Sequence, residues 1–272
     1  MSLVINTNVA SLNAQRSLAK SGAELSTAME RLSSGKKINS AADDAAGFAI
    51  AERMTAQIRG LNMAAKNAND GLSMLATIEN ATNDVTDMLH RMRELAVQAA
   101  NDTNGDTDRG YLQTEVTALI AEINRVSTDT KYNGSVVLDG SFASKKIQVG
   151  TAATHAITFS VSDIDATALS VNAVDISSQA GAGTALTAIS AAIETVAGQR
   201  AGYGALSNRL EYTVSNLLNV AEFTTAARSR IEDADFAAES ARLSKAQVLQ
   251  QTGTAMLAQA NASQQLALSL FR

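Results

Sequence analysis

Apolar residues recur at helical spacing at both ends of the chain, yet neither end carries a charged side chain. Residues 1–15 and 246–271 contain no Asp, Glu, Lys, Arg or His. A helix on the surface of a monomer normally carries charged residues on its solvent side. We therefore expect both ends to be covered by protein neighbours. A chain of 272 residues has too little mass to cover both, so the expected neighbours are copies of itself.

The first segment has a short heptad stripe. Leu18, Leu25 and Leu32 lie seven residues apart, with Met29 between the last two. This spacing predicts a coiled-coil helix. The segment Ser33–Gly35 predicts the end of that helix, since glycine favours the position just after a helix.

A long helix is predicted over Ala45–Ala99, with Asp43 and Asp44 at its start as capping residues. Its apolar positions alternate in steps of four and three, except for an additional step of three at Ile78. Such a skip overwinds a coiled coil locally, so we interpret Ile78 as a site of alternative packing. At 1.5 Å per residue the helix would be about 80 Å long, which is a rod and not an element of a small globule.

The middle of the chain changes character. A polar turn over 101–110 precedes a predicted helix over Tyr111–Ser127, and Tyr132–Gly134 has the composition of a turn. Apolar and polar residues then alternate on both sides of a turn, which predicts a β-hairpin over 145–161 and a second possible switch element. Small polar residues over Ser177–Thr184 predict a loop.

Helical spacing returns near Ala185 and continues to the C-terminal end, with a change of composition over Ile231–Phe236. The order of the predicted elements is thus palindromic: an uncharged helix, a charged rod, a β insert, a charged rod and an uncharged helix. The simplest packing of this order places the two ends of the chain against each other. We predict a mainly α fold, with long antiparallel helical rods, terminal coiled-coil helices and a small β-hairpin insert. The predicted divisions are an inner coiled-coil domain (1–42 and 236–272), a rod domain (43–140 and 185–235) and a variable outer insert (141–184).

The amino-acid composition favours long helices and excludes several classes of function. The chain has no proline, which long unbroken helices require. It has no cysteine, so disulfides and thiolate chemistry are excluded. A net charge of −5 without a basic block argues against nucleic acid as a partner. We find no pattern of a cleaved signal peptide and no continuous apolar run long enough for a membrane span.

Several long strings of the chain agree in order and spacing with one family, and on them the sequence resembles bacterial flagellin. The strings are Ile5–Asn8, Ser11–Gln15, Arg31–Asn39, Ala41–Gly47, Ser207–Glu211, Ala226–Phe236, Gln259–Asn261 and Leu268–Leu270. The chain departs from the common pattern at Tyr203, Ser207, Gln264 and Phe271. The insert is too short for the large outer domains of many flagellins.

The resemblance implies a homopolymer, with the terminal helices as the inner layer of an extracellular flagellar filament. It also implies unfolded export through the flagellar type III apparatus without a cleaved signal, a cytoplasmic chaperone for the C-terminal helix, and contacts with filament cap and hook-junction proteins. We expect the ends to order on assembly. The expected polymerisation residues are Leu18, Leu25, Met29, Leu32, Leu243, Leu249, Met256, Leu257 and Leu270.

Arg91, Leu95 and Glu115 match family positions that a host Toll-like receptor contacts. Packing between protofilaments explains the same residues equally well. In the insert, the resemblance suggests O-linked glycans on exposed hydroxyl groups, with an ordinary solvated loop as the alternative. The candidates are Thr151, Thr154, Ser162, Thr167, Ser170, Ser177 and Ser178.

We expect no catalysis, no cofactor and no metal. His90 lacks the second histidine that a zinc site on a helix needs, and His155 falls in the hairpin turn. The alternating acids over 102–108 resemble a calcium loop, but Thr107 stands where glycine is required. The sequence therefore favours a filament subunit for swimming motility. The alternatives are a hook–filament junction protein, a secreted ligand of an innate immune receptor, or an enzyme in the insert.

Overall fold

The computed structural model describes residues 7–269, with side chains described to residue 263. Five helices and four short strands follow one another in this range. They are α1 (Val9–Ser34), α2 (Ala45–Ala99), α3 (Asp106–Asp129), β1 (Lys131–Tyr132), β2 (Ser135–Val136), β3 (Lys145–Gln148), β4 (Ala156–Phe159), α4 (Gln179–Glu232) and α5 (Phe236–Ser269). The predicted mainly α fold with a small hairpin is confirmed.

The chain divides into two compact units. Residues up to 58 and from 222 onward form one, which we call the terminal unit, and residues 59–221 form the central unit. The terminal unit joins the two ends of the chain, as the palindromic pattern predicts. It extends further along α2 and α4 than the predicted inner domain, whose boundaries stay a prediction.

Local signals fix the ends of α1 and α2. The Asn8 side chain accepts a hydrogen bond from the Ser11 N–H at 2.9 Å, and α1 ends at Gly35 with a φ of 71°. The Asp44 carboxylate accepts hydrogen bonds from the N–H groups of Ala46 and Gly47 at the start of α2. Both ends of α2 lie where the sequence predicts them.

Helix α3 begins earlier than predicted, because residues 106–110 are its first turn and not part of the polar turn. The Asp108 carboxylate accepts a hydrogen bond from the Gly105 N–H at 3.3 Å and closes the helix start. Arg109 is buried and donates to the carbonyl groups of Ala99 and Asn101 at 2.8 and 3.2 Å. This arginine joins the end of α2 to the start of α3.

Helix α4 begins at Gln179, so the predicted loop over Ser177–Thr184 and the return of helix near Ala185 are wrong. The Ser178 hydroxyl accepts a hydrogen bond from the Gly181 N–H at 3.2 Å and caps the helix. A Cβ at position 181 would lie 2.6 Å from the Asp175 carbonyl oxygen. Glycine is thus needed for close packing in the first turn of α4 and not for a loop.

The strands form two antiparallel hairpins in the central unit. Asn133 and Gly134 have positive φ values of 48° and 82° and make the tight turn between β1 and β2. The second hairpin, formed by β3 and β4, confirms the hairpin predicted over 145–161, and Ile147 pairs with Ile157 in it. It packs on α2 where glycine leaves room, since a Cβ at Gly71 would lie 2.5 Å from the Ile147 side chain.

The central unit has a core of large side chains. Its fully buried residues come from α2, α3, α4, the segment between β2 and β3, and the segment after β4. Among them are Ile78, Leu89, Met92, Ile123, Leu138, Ile164, Ile176, Ile189 and Leu210. The segment 160–178, which has no regular structure, contributes seven buried apolar residues to this core. They are Val161, Ile164, Ala166, Leu169, Val171, Val174 and Ile176.

Among the described residues, α4 is the one helix with the length and composition to cross a membrane. An 18-residue window in it has a mean hydropathy of 1.2, and 28% of that window is buried inside the protein. A core helix of a soluble protein passes the same test. Ala185, Ile189 and Val196 on α4 are buried in the central core, so this composition has an explanation within the fold.

Candidate functional site in the paired terminal helices

Helices α1 and α5 pack against each other as an antiparallel pair. Near the start of α1, the Asn8 amide donates to the Ala260 carbonyl at 3.0 Å. The Ser11 hydroxyl donates to the Asn261 side chain at 3.0 Å. At the other end, Arg31 in the last turn of α1 contacts Glu239 in the first turn of α5.

The fully buried residues between these helices have small side chains apart from Glu239, and the heptad leucines are half-buried. The buried residues of α1 are Ser11, Ser21 and Ala28. The buried residues in the described part of α5 are Glu239 and Ala246. At Gly253 a Cβ would lie 3.3 Å from the Leu18 side chain, so glycine provides a notch for that leucine. Small residues bury little apolar area, and burial at about 25 cal/mol per Å² therefore stabilises this pair only weakly.

The large apolar side chains of the pair lie on its outer faces. Met29 on α1 is 56% exposed, and Met256 on α5 is 64% exposed. Other large apolar residues on the two helices are more than 36% exposed as well: Val9, Leu12, Phe236, Val248 and Leu249. In a monomeric protein, exposed apolar surface of this extent marks a site of contact with another molecule.

The predicted polymerisation residues fall into two groups. Leu18 lies half-buried against Gly253 of the partner helix. Four more are half-buried as well: Leu25, Leu32, Leu243 and Leu257. Met29, Leu249 and Met256 are exposed, and Leu270 lies outside the described residues. Their role in polymerisation stays a prediction.

The chain connections at the base of the pair are hydrogen-bonded to each other. The Lys37 N–H donates to the Glu232 carbonyl at 2.6 Å, and the Ala234 N–H donates to the Gly35 carbonyl at 2.9 Å. Lys36 also forms an ion pair with Glu232. Sequence reasoning missed this pairing, because nothing in two distant loops indicates that they are adjacent.

Asp233 and Asp235 form local hydrogen bonds where α4 ends and α5 begins. The Asp235 carboxylate accepts hydrogen bonds from the N–H groups of Ala237 and Ala238 at 2.9 and 3.3 Å, and so caps α5. Asp233 accepts a hydrogen bond from the Ser229 hydroxyl at 2.6 Å.

The receptor-like residues lie in the central unit, on α2 and α3. Arg91 Nε lies 2.7 Å from Glu115 Oε1, and Arg91 Nη1 lies 3.0 Å from Glu94 Oε2. The hydrogen bonds that Arg91 donates to Glu115 and Glu94 raise the pKa of Arg91. Leu95 is 1% exposed and belongs to the central core, so it does not share the surface of the other two residues.

The candidate glycosylation residues are all exposed. Two of them have local structural roles: the Ser178 hydroxyl caps α4, and the Ser177 hydroxyl bonds to Asp175 and lowers the pKa of that carboxyl. Ser170 has a positive φ of 57°. Glycosylation of any of them stays a prediction.

The side chains that suggest metal chemistry are dispersed or engaged in local contacts. His90 and His155 are exposed and far apart in the sequence. In the first turn of α3, Asp106 pairs with Arg109, and the Asp108 carboxylate accepts a hydrogen bond from the Gly105 N–H. Within the described residues, no group of three or more His, Asp or Glu side chains is arranged to hold a metal ion.

A helical protein whose paired ends carry uncharged, exposed apolar faces belongs to the class of self-assembling structural proteins. Comparison with known proteins identifies the family. Residues 5–143 match the bacterial flagellin N-terminal helical region, and residues 186–271 match the bacterial flagellin C-terminal helical region. The chain belongs to the bacterial flagellin family, and it is a structural subunit of the flagellar filament.

Individual relatives agree with this assignment over the whole chain. A flagellin of Halalkalibacterium halodurans is 41% identical over 272 residues, which cover 99% of this chain and 100% of the relative. The flagellar filament 33 kDa core protein of Treponema phagedenis is 40% identical and is covered in full. The crystal structure of Bacillus cereus flagellin aligns with a TM-score of 0.51 and 32% identity, over 56% of this chain and 88% of that chain. A hook–filament junction protein is not favoured.

Proposed function

We propose that the α1–α5 pair is the element through which this filament subunit polymerises. In this proposal the pair forms the inner layer of the filament wall, and neighbouring copies cover its outer faces. The observation that carries the proposal is the reversed distribution of side-chain size, because serine and alanine are fully buried between the helices while Met29, Val248 and Met256 are exposed on the outer faces.

Charge supports the same conclusion. Over 246–263 the α5 helix has no ionisable side chain, although most of its residues are exposed in the single subunit. Charged residues make a surface in permanent contact with water more soluble. At a surface that becomes an interface, burying unpaired charges is unfavourable in free energy. An uncharged polar face of Gln, Asn, Ser and Thr can form hydrogen bonds with neighbouring copies without that cost.

The experiment is a truncation that ends at Lys245. We expect this variant to keep a folded central unit, since the core residues of that unit all lie within 59–221. It should form no filaments on fragments of wild-type filament, as measured by sedimentation and electron microscopy. Filaments built from the truncated subunit would overturn the proposal. The control is the full-length wild-type subunit, prepared and seeded in the same way, and it should polymerise.

Further partners follow from family membership. We propose that the subunit is exported unfolded through the flagellar type III apparatus, that a chaperone covers α5 before export, and that cap and hook-junction proteins receive the subunit at the filament end. The exposed apolar residues Val248, Leu249 and Met256 support a need for a cover in the cytoplasm. Co-purification of a chaperone with the full chain, and its loss with the truncated chain, tests this.

For a host Toll-like receptor, we propose contact through Arg91 and Glu115 alone. These two side chains are 50% and 44% exposed and bridge α2 to α3. Leu95 is not part of the proposed contact, because its side chain is buried in the central core. The test compares the Arg91→Ala and Arg125→Ala subunits in a receptor reporter assay. A loss of signal limited to Arg91→Ala supports the contact, and equal signals overturn it.

A further inference from the structure

Glu239 is the one buried carboxylate among the described residues of the chain, with 4% of its surface exposed. Its Oε1 atom accepts hydrogen bonds from Arg31 Nη1 at 3.2 Å across the helix pair and from Arg242 Nη1 at 2.8 Å on its own helix. Both charged residues lie at the helix ends that favour them, since the positive Arg31 is in the last turn of α1 and the negative Glu239 is in the first turn of α5. Each helix dipole favours the charge at its end.

We infer that Glu239, through Arg31, determines the register of α1 against α5 and is thus a positioning residue for assembly. The inference deepens the proposed function and rests on it for its consequence in the filament. It begins with the composition of the surface between the helices, which by itself leaves the register poorly specified beyond the hydrogen-bonded connections at Gly35 and Ala234.

Small residues repeat every seven positions on both sides of this surface. On α5 they are Ala246, Gly253 and Ala260, and on α1 they are Ala14, Ser21 and Ala28. In the native register Gly253 lies against Leu18. Since Leu18, Leu25 and Leu32 also repeat every seven residues, a slip of one heptad would again place a leucine against a small residue, at little cost in packing. In such coiled-coil surfaces a single polar or charged position specifies the register. Glu239 interrupts the α5 series one heptad before Ala246 and has no equivalent further along it.

The energetics of the ion pair agree with a role in specificity. A buried ion pair adds little net stability, because removing both charges from water costs about as much as their attraction returns. Here the Arg31 Nε atom is buried and makes no hydrogen bond within the described residues, which reduces the net gain further. A slipped pair would instead separate Glu239 from Arg31 and leave it with Arg242 of its own helix, so the buried carboxylate would lose its partner across the pair, which is unfavourable.

Register determines the surface that neighbouring copies meet. A slip of one heptad moves one helix by about 10 Å along the other, at 1.5 Å per residue. Met29 and Leu12 on α1 would then lie beside different residues of α5, and the outer apolar faces would no longer match between copies. A subunit in the wrong register is therefore unable to join the filament end.

The test uses disulfide formation in a chain that has no cysteine of its own. One double variant, Ser11→Cys with Asn261→Cys, joins positions that are in contact in the native register. A second, Ser11→Cys with Thr254→Cys, joins positions one heptad apart from it. In the soluble subunit, we expect the first to cross-link about tenfold more than the second under mild oxidation.

Adding Glu239→Gln should bring the two yields to within about threefold of each other. The matched control is Glu122→Gln, which removes an exposed glutamate paired with Arg125 and should leave the ratio unchanged. Because Glu239→Gln could unfold the pair, a third variant combines Arg31→Met with Glu239→Leu, which keeps the volume and removes both charges. It should retain helix content by circular dichroism and still lose the preference for position 261.

A ratio that stays near tenfold in both Glu239 variants would overturn the inference, as would equal yields in the otherwise unaltered chain. These results do not depend on polymerisation. A failure of the proposed function would appear separately, as filaments formed by the subunit truncated after Lys245.

Discussion

The central and terminal units use opposite arrangements of side-chain size. In the central unit, large residues such as Leu89 and Ile123 are fully buried. In the terminal unit, Ile38 is the one large apolar residue that is buried among those described, while Met29 and Met256 are exposed. The comparison teaches that one chain can combine a unit that completes its own core with a unit that depends on neighbours to complete it.

The difference follows from what each helix meets within the chain. Helix α2 meets α3, α4 and the segment 160–178 in the central unit, and these cover its apolar stripe. Helix α1 meets α5, and a single partner covers one side of a helix only. The remaining apolar surface is available to other copies, so assembly and folding of the ends are coupled.

The largest expected effect is on assembly, and its absence would contradict the comparison between the central and terminal units. Replacing Met256 with Lys should abolish polymerisation on filament seeds, because an unpaired charge would be buried between copies. The free energy of unfolding of the subunit should change little, since the side chain is 64% exposed. Sedimentation measures the first effect and urea unfolding the second. The control Thr167→Lys, at an exposed position of the central unit, should polymerise as wild type does.

The next effect concerns stability. Replacing Leu89 with Ala should lower the free energy of unfolding of the subunit by about 2–5 kcal/mol, because it removes a fully buried side chain and leaves a cavity. Replacing Leu249 with Ala should lower it by less than about 1 kcal/mol, since that leucine is already partly in water. Equal losses in urea unfolding would show that the terminal pair is a self-sufficient core.

A smaller effect is expected at the joint between α2 and α3. Replacing Arg109 with Ala should cost about 1–3 kcal/mol, because the carbonyl groups of Ala99 and Asn101 would lose their partner. Replacing Arg125 with Ala, in an exposed ion pair, should cost much less, because solvent screens that pair. Thermal unfolding of the two variants gives the comparison, and a larger loss for Arg125→Ala would contradict it.

The smallest effect depends on pH and concerns the loop before α2. Hydrogen bonds from the N–H groups of Ser40 and Asn39 lower the pKa of Asp43 below its ordinary value of 3.8. A carboxyl with a lowered pKa stabilises the fold above its ordinary pKa, and this contribution is lost as the pH falls through the folded-state value.

The Asp43→Asn variant should therefore have a slightly lower thermal midpoint than wild type at pH 7. This difference should shrink as the pH falls below 3.8 and vanish at lower pH. A difference that grows on acidification would reverse the sign of the argument.

Much of the fold could be predicted because its determinants are local. The bounds of α2 follow from a continuous apolar period that begins after Asp44 and ends before a polar turn. The start of α4 could not be predicted, because Gly181 has the composition of a loop residue and its role depends on contact with Asp175. The start of α3 was likewise hidden in a run of turn-forming residues.

The site was predicted in outline and not in detail. Absence of charge at both ends predicts an interface, and the structure joins these ends. The heptad leucines are half-buried, and the fully buried residues between α1 and α5 are serine, alanine and Glu239. A sequence period identifies an apolar face, but it does not say whether the same chain or another copy covers that face.

The most direct test of the central claim uses the methionines as reporters. Hydrogen peroxide converts an accessible thioether to the sulfoxide, and mass spectrometry measures the rate at each residue. In the soluble subunit, Met29, Met256 and Met63 should react at similar rates, since each is more than half exposed, while Met92 in the central core should be protected. In the filament, Met29 and Met256 should become protected as well. Oxidation of these two residues as fast in the filament as in the subunit would contradict the account.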